Sequence, residues 1–430
     1  MMIMITKLWS DRNRGDSAIG IATAQLLRRS FPNSELYGMS YFGANQDDLV
    51  QSELFAIKNY VHSVVGGLFP TFTSYKSSSQ LRARMHVRLL TYLSFVFALA
   101  VLFVIRIKWF ANMPLGKFGK SLELFKKSDL IVVKGGSHIH GGRGLGPCLY
   151  LFKELYPAFL AVVLRKPYLL LGHSIWEIDK MPSKCLFKFV AKRATLITVR
   201  EENSFENLKK IGVTENVKIL PDLSFFIRTG EQKGSCPRQP RHKLRVGITV
   251  RCWGAHQYRY RYLLCMKEFI EFLVHEYKAT VLIVPHTIGP TAFENDLLES
   301  RKLYNLVQGE ELAEVVLVDQ DLSMNDLLDL YSSLDILVGT RFHSVIFAFL
   351  RGVPAIAISY ESPKAYGIMK MLGLEGFCID ISKIKLKDLI QRFADLERSS
   401  PIIRSQIDSF LSELSNELEI YENLIRKAYA

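Results

Sequence analysis

Cysteine is sparse and unpatterned in this chain of 430 residues: the 6 cysteines (Cys148, Cys185, Cys236, Cys252, Cys265, Cys378) include no C-x-x-C pair. That spacing argues against a zinc site and against a disulfide framework, and leaves reduced thiols in a cytosolic protein as the simple account. No long stretch is rich in Gly, Ser or Pro. With 49% hydrophobic and 23% charged residues, the chain has little room for extended disorder. The short apolar run Met1-Met2-Ile3-Met4-Ile5-Thr6 is soon followed by charge, unlike a secretory signal, and is expected to form a first β-strand. No RNP-type aromatic run and no basic recognition helix is present, so no nucleic-acid partner is expected.

What is abundant is positive charge. Lys and Arg exceed Asp and Glu by 55 to 42, for a net +13, and such a surface attracts phosphates or anionic lipid headgroups as readily as it stays merely solvated. One apolar run stands out, residues 89–105, about 17 residues without charge between Arg82, Arg84 and Arg88 on one side and Arg106 and Lys108 on the other. Basic flanks at both ends give no orientation bias, and α/β signals before and after the run belong to one domain. A helix or shallow hairpin dipping into the cytoplasmic leaflet is therefore expected, placing the protein in the cytoplasm at the inner face of the membrane; a buried core helix is the alternative.

Length favours two domains. Apolar runs at 129–133, 167–171 and 194–199 read as buried strands, with helical periodicity at 148–164 and 183–192. A polar, Gly/Pro-rich stretch at 229–243 reads as a linker. The alternation then restarts with strands at 244–250, 280–285, 314–318, 336–339 and 355–359. The expected class is α/β, two doubly wound Rossmann-like domains facing a cleft in a GT-B-like arrangement. The expected divisions are 1–228 with the apolar insert near 82–113, then 244–395, then a helical segment at 396–430 that crosses the domain boundary.

In open α/β sheets ligands bind outside the carboxyl ends of strands, so residues that follow strands carry the functional reading. Asn13-Arg14-Gly15-Asp16-Ser17 follows the first strand and opens a helix, where an anion or a plain N-cap would fit. Lys134-Gly135-Gly136-Ser137-His138-Ile139-His140 begins a loop whose glycines permit close ligand approach; a surface loop is the bland alternative. Gly172-His173-Ser174 ends another strand. Arg200 stands at a strand-to-helix change, suited to bidentate anion binding or to a surface ion pair with Glu201 or Glu202, and Asp222 is a strand-end carboxylate or a turn residue. In the second half, Val250-Arg251-Cys252-Trp253 and Pro285-His286-Thr287 end strands. The strongest junction is Thr340-Arg341-Phe342-His343-Ser344, which pairs a cation with a titratable imidazole where a helix begins.

Taken in order, these pieces resemble the polysaccharide pyruvyl transferase family. The matching residues are Asn13-x-Gly15-Asp16-x-Ala18-Ile19, Gly135-Gly136, Val199-Arg200-Glu201-x-x-Ser204, Leu208, Gly212-Val213 and Pro221-Asp222. They continue with Pro285-His286, Arg341-Phe342-His343-Ser344, Gly352-Val353-Pro354, Ser359-Tyr360-x-x-x-Lys364 and Leu372-Gly373. Many relatives carry a third glycine where this chain has Ser137. The resemblance implies transfer of a pyruvyl group from phosphoenolpyruvate, a co-substrate, to a sugar of a polysaccharide or its lipid-linked precursor; no further cofactor is expected and no residue is assigned to a metal. It assigns Arg341 and Arg200 to donor anions, His343 to proton transfer or phosphate binding, Lys364 to phosphate, and Asp222 or His138 to acceptor hydroxyls. Ser344, Asn13, Asp16, Gly135, Gly136, His173 and His286 complete the expected binding set. A nucleotide-sugar glycosyltransferase using Glu361 as a ribose clamp is the rival, and a non-catalytic organiser of polysaccharide assembly at a membrane is a third class.

Overall fold

The computed structural model describes residues 1–70, 81–105, 116–228, 243–307, 313–360 and 364–430, with the backbone alone for 81–91, 256 and 364. The expected linker, apart from Lys243, lies outside the described residues, as do Glu361, the flanking Arg106 and Lys108, and the side chain of Lys364. The chain forms two compact units. The first holds residues 1–11, 16–223 and 417–430; the second holds 12–15 and 224–416. The division thus falls at Leu223, and the C-terminal helix Ser400–Tyr429 contributes residues to both units.

The first unit is built on β1 (Met2–Leu8), β2 (Glu35–Gly43), β3 (Ser63–Gly67), β4 (Leu130–Lys134), β5 (Tyr168–His173), β6 (Leu196–Val199) and β7 (Val217–Ile219). All pair in parallel, in the order β3-β2-β1-β4-β5-β6-β7. A parallel sheet is covered on both faces, which explains why its strands read as unbroken apolar runs: Leu130, Ile131, Val132 and Val133 have no exposed surface.

The second sheet uses β8 (Arg245–Thr249), β9 (Thr280–Ile283), β10 (Val315–Leu317), β11 (Ile336–Gly339), β12 (Ala355–Ser359) and β13 (Cys378–Asp380), parallel in the order β10-β9-β8-β11-β12-β13. In each sheet the strand order reverses beside the first strand, between β1 and β4 and between β8 and β11. Adjacent crossovers leave in opposite directions there, so a crevice opens at the carboxyl ends. The expected α/β class with two doubly wound sheets is what the chain adopts.

Two long apolar helices belong to the first unit. Leu145–Leu164 is, among the described residues, the one helix long and apolar enough to cross a membrane. Its Leu151, Leu155, Ala158 and Leu160 are nevertheless fully buried in the core, and Glu154 in its middle pairs with Lys7. It is a core helix. The insert forms the helix Leu81–Val104, which packs Phe95, Ala98 and Val101 into the same core, where Tyr156 donates its hydroxyl to the Ala98 carbonyl at 3.0 Å. The insert is therefore neither wholly buried nor free of the fold.

Candidate active site at the carboxyl ends of the strands

In the second unit, β11 is central and carries the chain to Thr340, whose amide bonds the Thr249 carbonyl at the end of β8 at 3.1 Å. The helix Phe342–Phe349 then turns back against its own strand. A Cβ on Gly339 would stand 2.8 Å from both Ser344 Oγ and Val345 Cγ2, so only glycine permits the turn. Ser344 has no exposed surface; it bonds Thr249 Oγ1 at 3.0 Å and donates to the Arg341 carbonyl. Its expected place in substrate binding is corrected: it is the internal fastener of the junction.

Arg341 differs from expectation in the same way. Its Nε and Nη2 donate to the Asp296 carboxylate at 2.7–3.0 Å, and Asp296 is fully buried and also accepts from the Thr287 amide at 2.9 Å. Burial draws the Arg341 pKa down, but Asp296 more than reverses this and holds it above its ordinary value. The guanidinium is thus charged, oriented and already matched by a carboxylate. Its effect on an anion is one of position rather than of unspent charge.

Arg251, just after β8, has no such ion-pair partner among the described residues, although its charge joins that of Arg341 in opposing the rise that burial gives the pKa of Asp296. Arg251 is 6% exposed, its Nε donates to the Cys252 carbonyl at 3.1 Å, and its guanidinium lies 3.7 Å from the Tyr360 ring centroid and 5.6 Å from that of Phe293. Among the described residues no carboxylate comes within ion-pair distance of it. Tyr360 is also one wall of a small pocket at the ends of β11 and β12, with Gly339, Thr340, Phe342 and Ser359 among its other walls. Sequence reading noted Arg251 at a strand end without giving it a role. Asp296 was missed altogether, because nothing in a helix-opening aspartate announces which arginine it will meet.

His343 is half-buried on the first turn of the helix. Its ring lies against Gly15, which belongs to the same unit: a Cβ there would stand 2.1 Å from His343 Nδ1. The glycine of the Asn13-x-Gly15 motif therefore serves the approach of an imidazole. Asn13 bridges to Thr287, and Arg14 donates to the Leu322 carbonyl at 2.7 Å and pairs with Asp321. His286 is 1% exposed with Nδ1 3.1 Å from the Tyr331 hydroxyl, and burial, reinforced by Arg341 and Arg14, holds its pKa well below the usual range. It is a neutral packed imidazole, correcting the expectation of a ligand contact.

The first unit's strand ends also depart from expectation. Arg200 has no exposed surface; its Nε donates to Ser174 Oγ at 2.7 Å, its Nη2 to Ser137 Oγ at 2.8 Å, and its Nη1 to Asp222. Asp222 is 1% exposed. Arg200 thus has the ion pair with Glu201, at 3.7 Å, that the sequence offers as its alternative, but buried rather than on the surface, and a second one with Asp222; the expected anion hook and the carboxylate open to an acceptor hydroxyl are replaced by an internal cluster joining the ends of β4, β5 and β6. Ser137 contributes to this lock.

Gly135 and Gly136 were expected to admit a ligand. A Cβ on Gly135 would come within 2.3 Å of the Gly172 carbonyl, and one on Gly136 within 2.6 Å of His138 Nδ1, so the first makes room for β5 and the second for a side chain. Asp16 pairs with the buried Lys134. His173 is fully buried, contacts the Val133 carbonyl through Nε2 at 3.2 Å, and has its pKa pushed down to about 3 by burial. His138 packs edge-on against it at 5.3 Å, and its pKa too is held well below the usual range by burial, then by Lys7. A histidine so disfavoured as a cation is a poor proton carrier near neutral pH, which corrects its expected catalytic role. His140 is exposed and stacks on Tyr150 at 4.3 Å.

Lys7 escaped the sequence reading. It ends β1 with φ 66°, a left-handed conformation uncommon outside glycine, and pairs with Glu154 at 2.7 Å beneath the Tyr41 ring. Burial lowers its pKa to about 8, with Glu154 opposing the fall.

With these arrangements in view, comparison with known proteins becomes informative. A profile of the polysaccharide pyruvyl transferase family matches residues 13–362. The chain belongs to this family. A relative, the amylovoran biosynthesis protein AmsJ of Erwinia amylovora, is 24% identical over 422 residues, covering 93% of this chain and 94% of that protein. Among solved structures, UDP-GlcNAc 2-epimerase from Neisseria meningitidis bound to UDP-GlcNAc aligns with TM-score 0.56 and 13% identity over 99% of this chain and 100% of that one. Anabaena Alr3699/HepE in complex with UDP-glucose aligns with TM-score 0.53 and 13% identity over 99% of each. At such identity these two speak for the fold alone, which is GT-B-like. Every motif piece quoted for the resemblance from Asn13 to Tyr360 lies inside the matched segment.

Proposed function

We propose that this pyruvyl transferase family member takes its pyruvyl unit from phosphoenolpyruvate and forms a cyclic ketal on a sugar of a polysaccharide or its lipid-linked precursor. The observation that carries the reading is Arg251: a nearly buried guanidinium at the second switch point, stacked on Tyr360 with no carboxylate of the described residues within ion-pair distance, beside the helix that opens with His343. Phosphoenolpyruvate brings a carboxylate and a phosphate, and a cation of this kind, a helix N-terminus and the oriented Arg341 suit two anionic groups.

The chemistry asked of the site is modest. A proton adds to the methylene carbon of the donor, leaving an oxocarbenium-like centre at C2. One sugar hydroxyl attacks that carbon and loses its proton, phosphate departs with the C–O bonding pair, and a second hydroxyl closes the ring and loses its proton. His343, the partly buried imidazole of the cluster, is suited to carry the first proton or to hold the phosphate. Polysaccharide biosynthesis, named for AmsJ, supplies the acceptor class.

Titration calorimetry with phosphoenolpyruvate and with UDP tests the donor. Phosphoenolpyruvate binding is expected, weakened about 10-fold or more in Arg251→Ala, the loss of a charge-assisted hydrogen bond. Binding of UDP with no binding of phosphoenolpyruvate would overturn the reading in favour of a nucleotide-sugar donor. Mass spectrometry of lipid-linked oligosaccharides incubated with protein and phosphoenolpyruvate then tests for the ketal.

A further inference from the structure

The helix Leu81–Val104 is apolar on two faces. Phe95, Ala98 and Val101 enter the core of the first unit, whereas Tyr92, Leu93, Val96, Phe97, Leu99 and Phe103 point outward, Val96 63% and Phe103 81% exposed. Outward positions 92, 96, 99 and 103 follow a spacing of four, three and four, which makes one continuous stripe rather than scattered exposure.

Two features say what covers the stripe. The helix contains no acidic residue and carries Arg82, Arg84 and Arg88 in its first turns, within a chain of net charge +13. Like charge of that size opposes a second copy and favours an anionic surface. The uncharged part of the helix, residues 89–104, spans about 24 Å at 1.5 Å per residue, short of a hydrocarbon core of about 30 Å, and its inner face is already committed to protein. It can lie in an interface but not cross it.

We propose that this face docks the protein on an anionic lipid bilayer, with the helix in the plane of the headgroups and its apolar stripe below them. The inference is independent of which donor the second unit takes, and its test does not use activity.

The experiment is sedimentation of the full chain with vesicles of phosphatidylglycerol and phosphatidylethanolamine, and with phosphatidylcholine alone. Val96→Glu/Phe103→Glu changes two exposed positions, so the fold is retained; Ile402→Glu/Ile420→Glu, exposed on the C-terminal helix, makes the same charge change elsewhere. Wild type and the Ile402/Ile420 variant are expected to pellet with phosphatidylglycerol vesicles, and the Val96/Phe103 variant to partition at least about 10-fold less at an unchanged melting temperature. The proposal is overturned if wild type stays in the supernatant, or if both variants bind alike. It is equally overturned if light scattering shows a wild-type dimer that Val96→Glu/Phe103→Glu dissociates while vesicles recruit nothing, because the stripe would then face a second copy.

Discussion

The two sheets reverse their strand order in the same way, yet their switch points treat charge differently. In the first unit Lys7 faces Glu154, Lys134 faces Asp16 and Arg200 faces Asp222, each cation nearly or fully buried. In the second, Arg341 is matched by Asp296 while Arg251 lies on an aromatic ring beside a pocket. Burying an unmatched charge costs several kcal/mol, so a sealed strand end must supply its own counter-ion, and a strand end that leaves a cation unmatched is the one suited to an anion from outside. A shared topology offers two candidate crevices, and the distribution of carboxylates separates them.

The comparison is open to attack at three points. The largest effect is expected from acid. His173 keeps a neutral ring down to a pKa of about 3, against 6.5 for an ordinary histidine, because burial disfavours its cation. Below pH ~6.5 the unfolded chain takes up this proton and the native chain does not until about 3, so stability falls as pH falls through that window, by on the order of 5 kcal/mol. Urea unfolding at stepped pH is expected to show His173→Gln losing correspondingly less than wild type. Equal acid limbs would mean that the first unit's strand ends are wetter than described.

Next comes Arg200→Met. Leaving Asp222 buried without its partner is expected to cost about 3–5 kcal/mol in unfolding free energy while phosphoenolpyruvate affinity, measured on the folded fraction, stays unchanged. A stable variant with lost donor affinity would make Arg200 a ligand residue after all and erase the contrast between the two switch points.

The smallest effect comes from a matched pair of glycines. Gly135→Ala meets the Gly172 backbone and Gly339→Ala meets Ser344 and Val345, and each is expected to destabilise by about 1–3 kcal/mol. They should part in activity. Shifting the helix that carries His343 is expected to lower kcat of Gly339→Ala at temperatures where it is fully folded, while Gly135→Ala turns over normally under the same condition.

Much of the fold was legible because parallel strands covered on both faces write themselves as apolar runs. The expected strands at 129–133, 336–339 and 355–359 fall within a residue of β4, β11 and β12. β13 (Cys378–Asp380) was not seen, being three residues long and carrying an acidic end. The site was legible as a set of places. His343 stands at the helix start its motif implied, but Arg200, Asp222, His173 and His286 proved to be interior residues, because strand-end position does not reveal which neighbours will close over a side chain. The C-terminal helix does some of this closing: Tyr421 donates to Thr198 Oγ1 and the Pro221 carbonyl at 3.3 Å, beside the Arg200 pair, from more than 200 positions away.

What the amino-acid order by itself determined is the alternation of buried strand and amphipathic helix, the glycine-punctuated strand ends and the family to which they belong. These are local, since period and turn chemistry depend on neighbours in the chain. Only the tertiary structure decided which cation is paired with Asp296 and which rests on Tyr360, which glycine makes room for the His343 imidazole and which for a strand, and which face of the apolar insert is left outside. Pairing and burial are relations between residues distant in sequence, and no spacing along the chain encodes them.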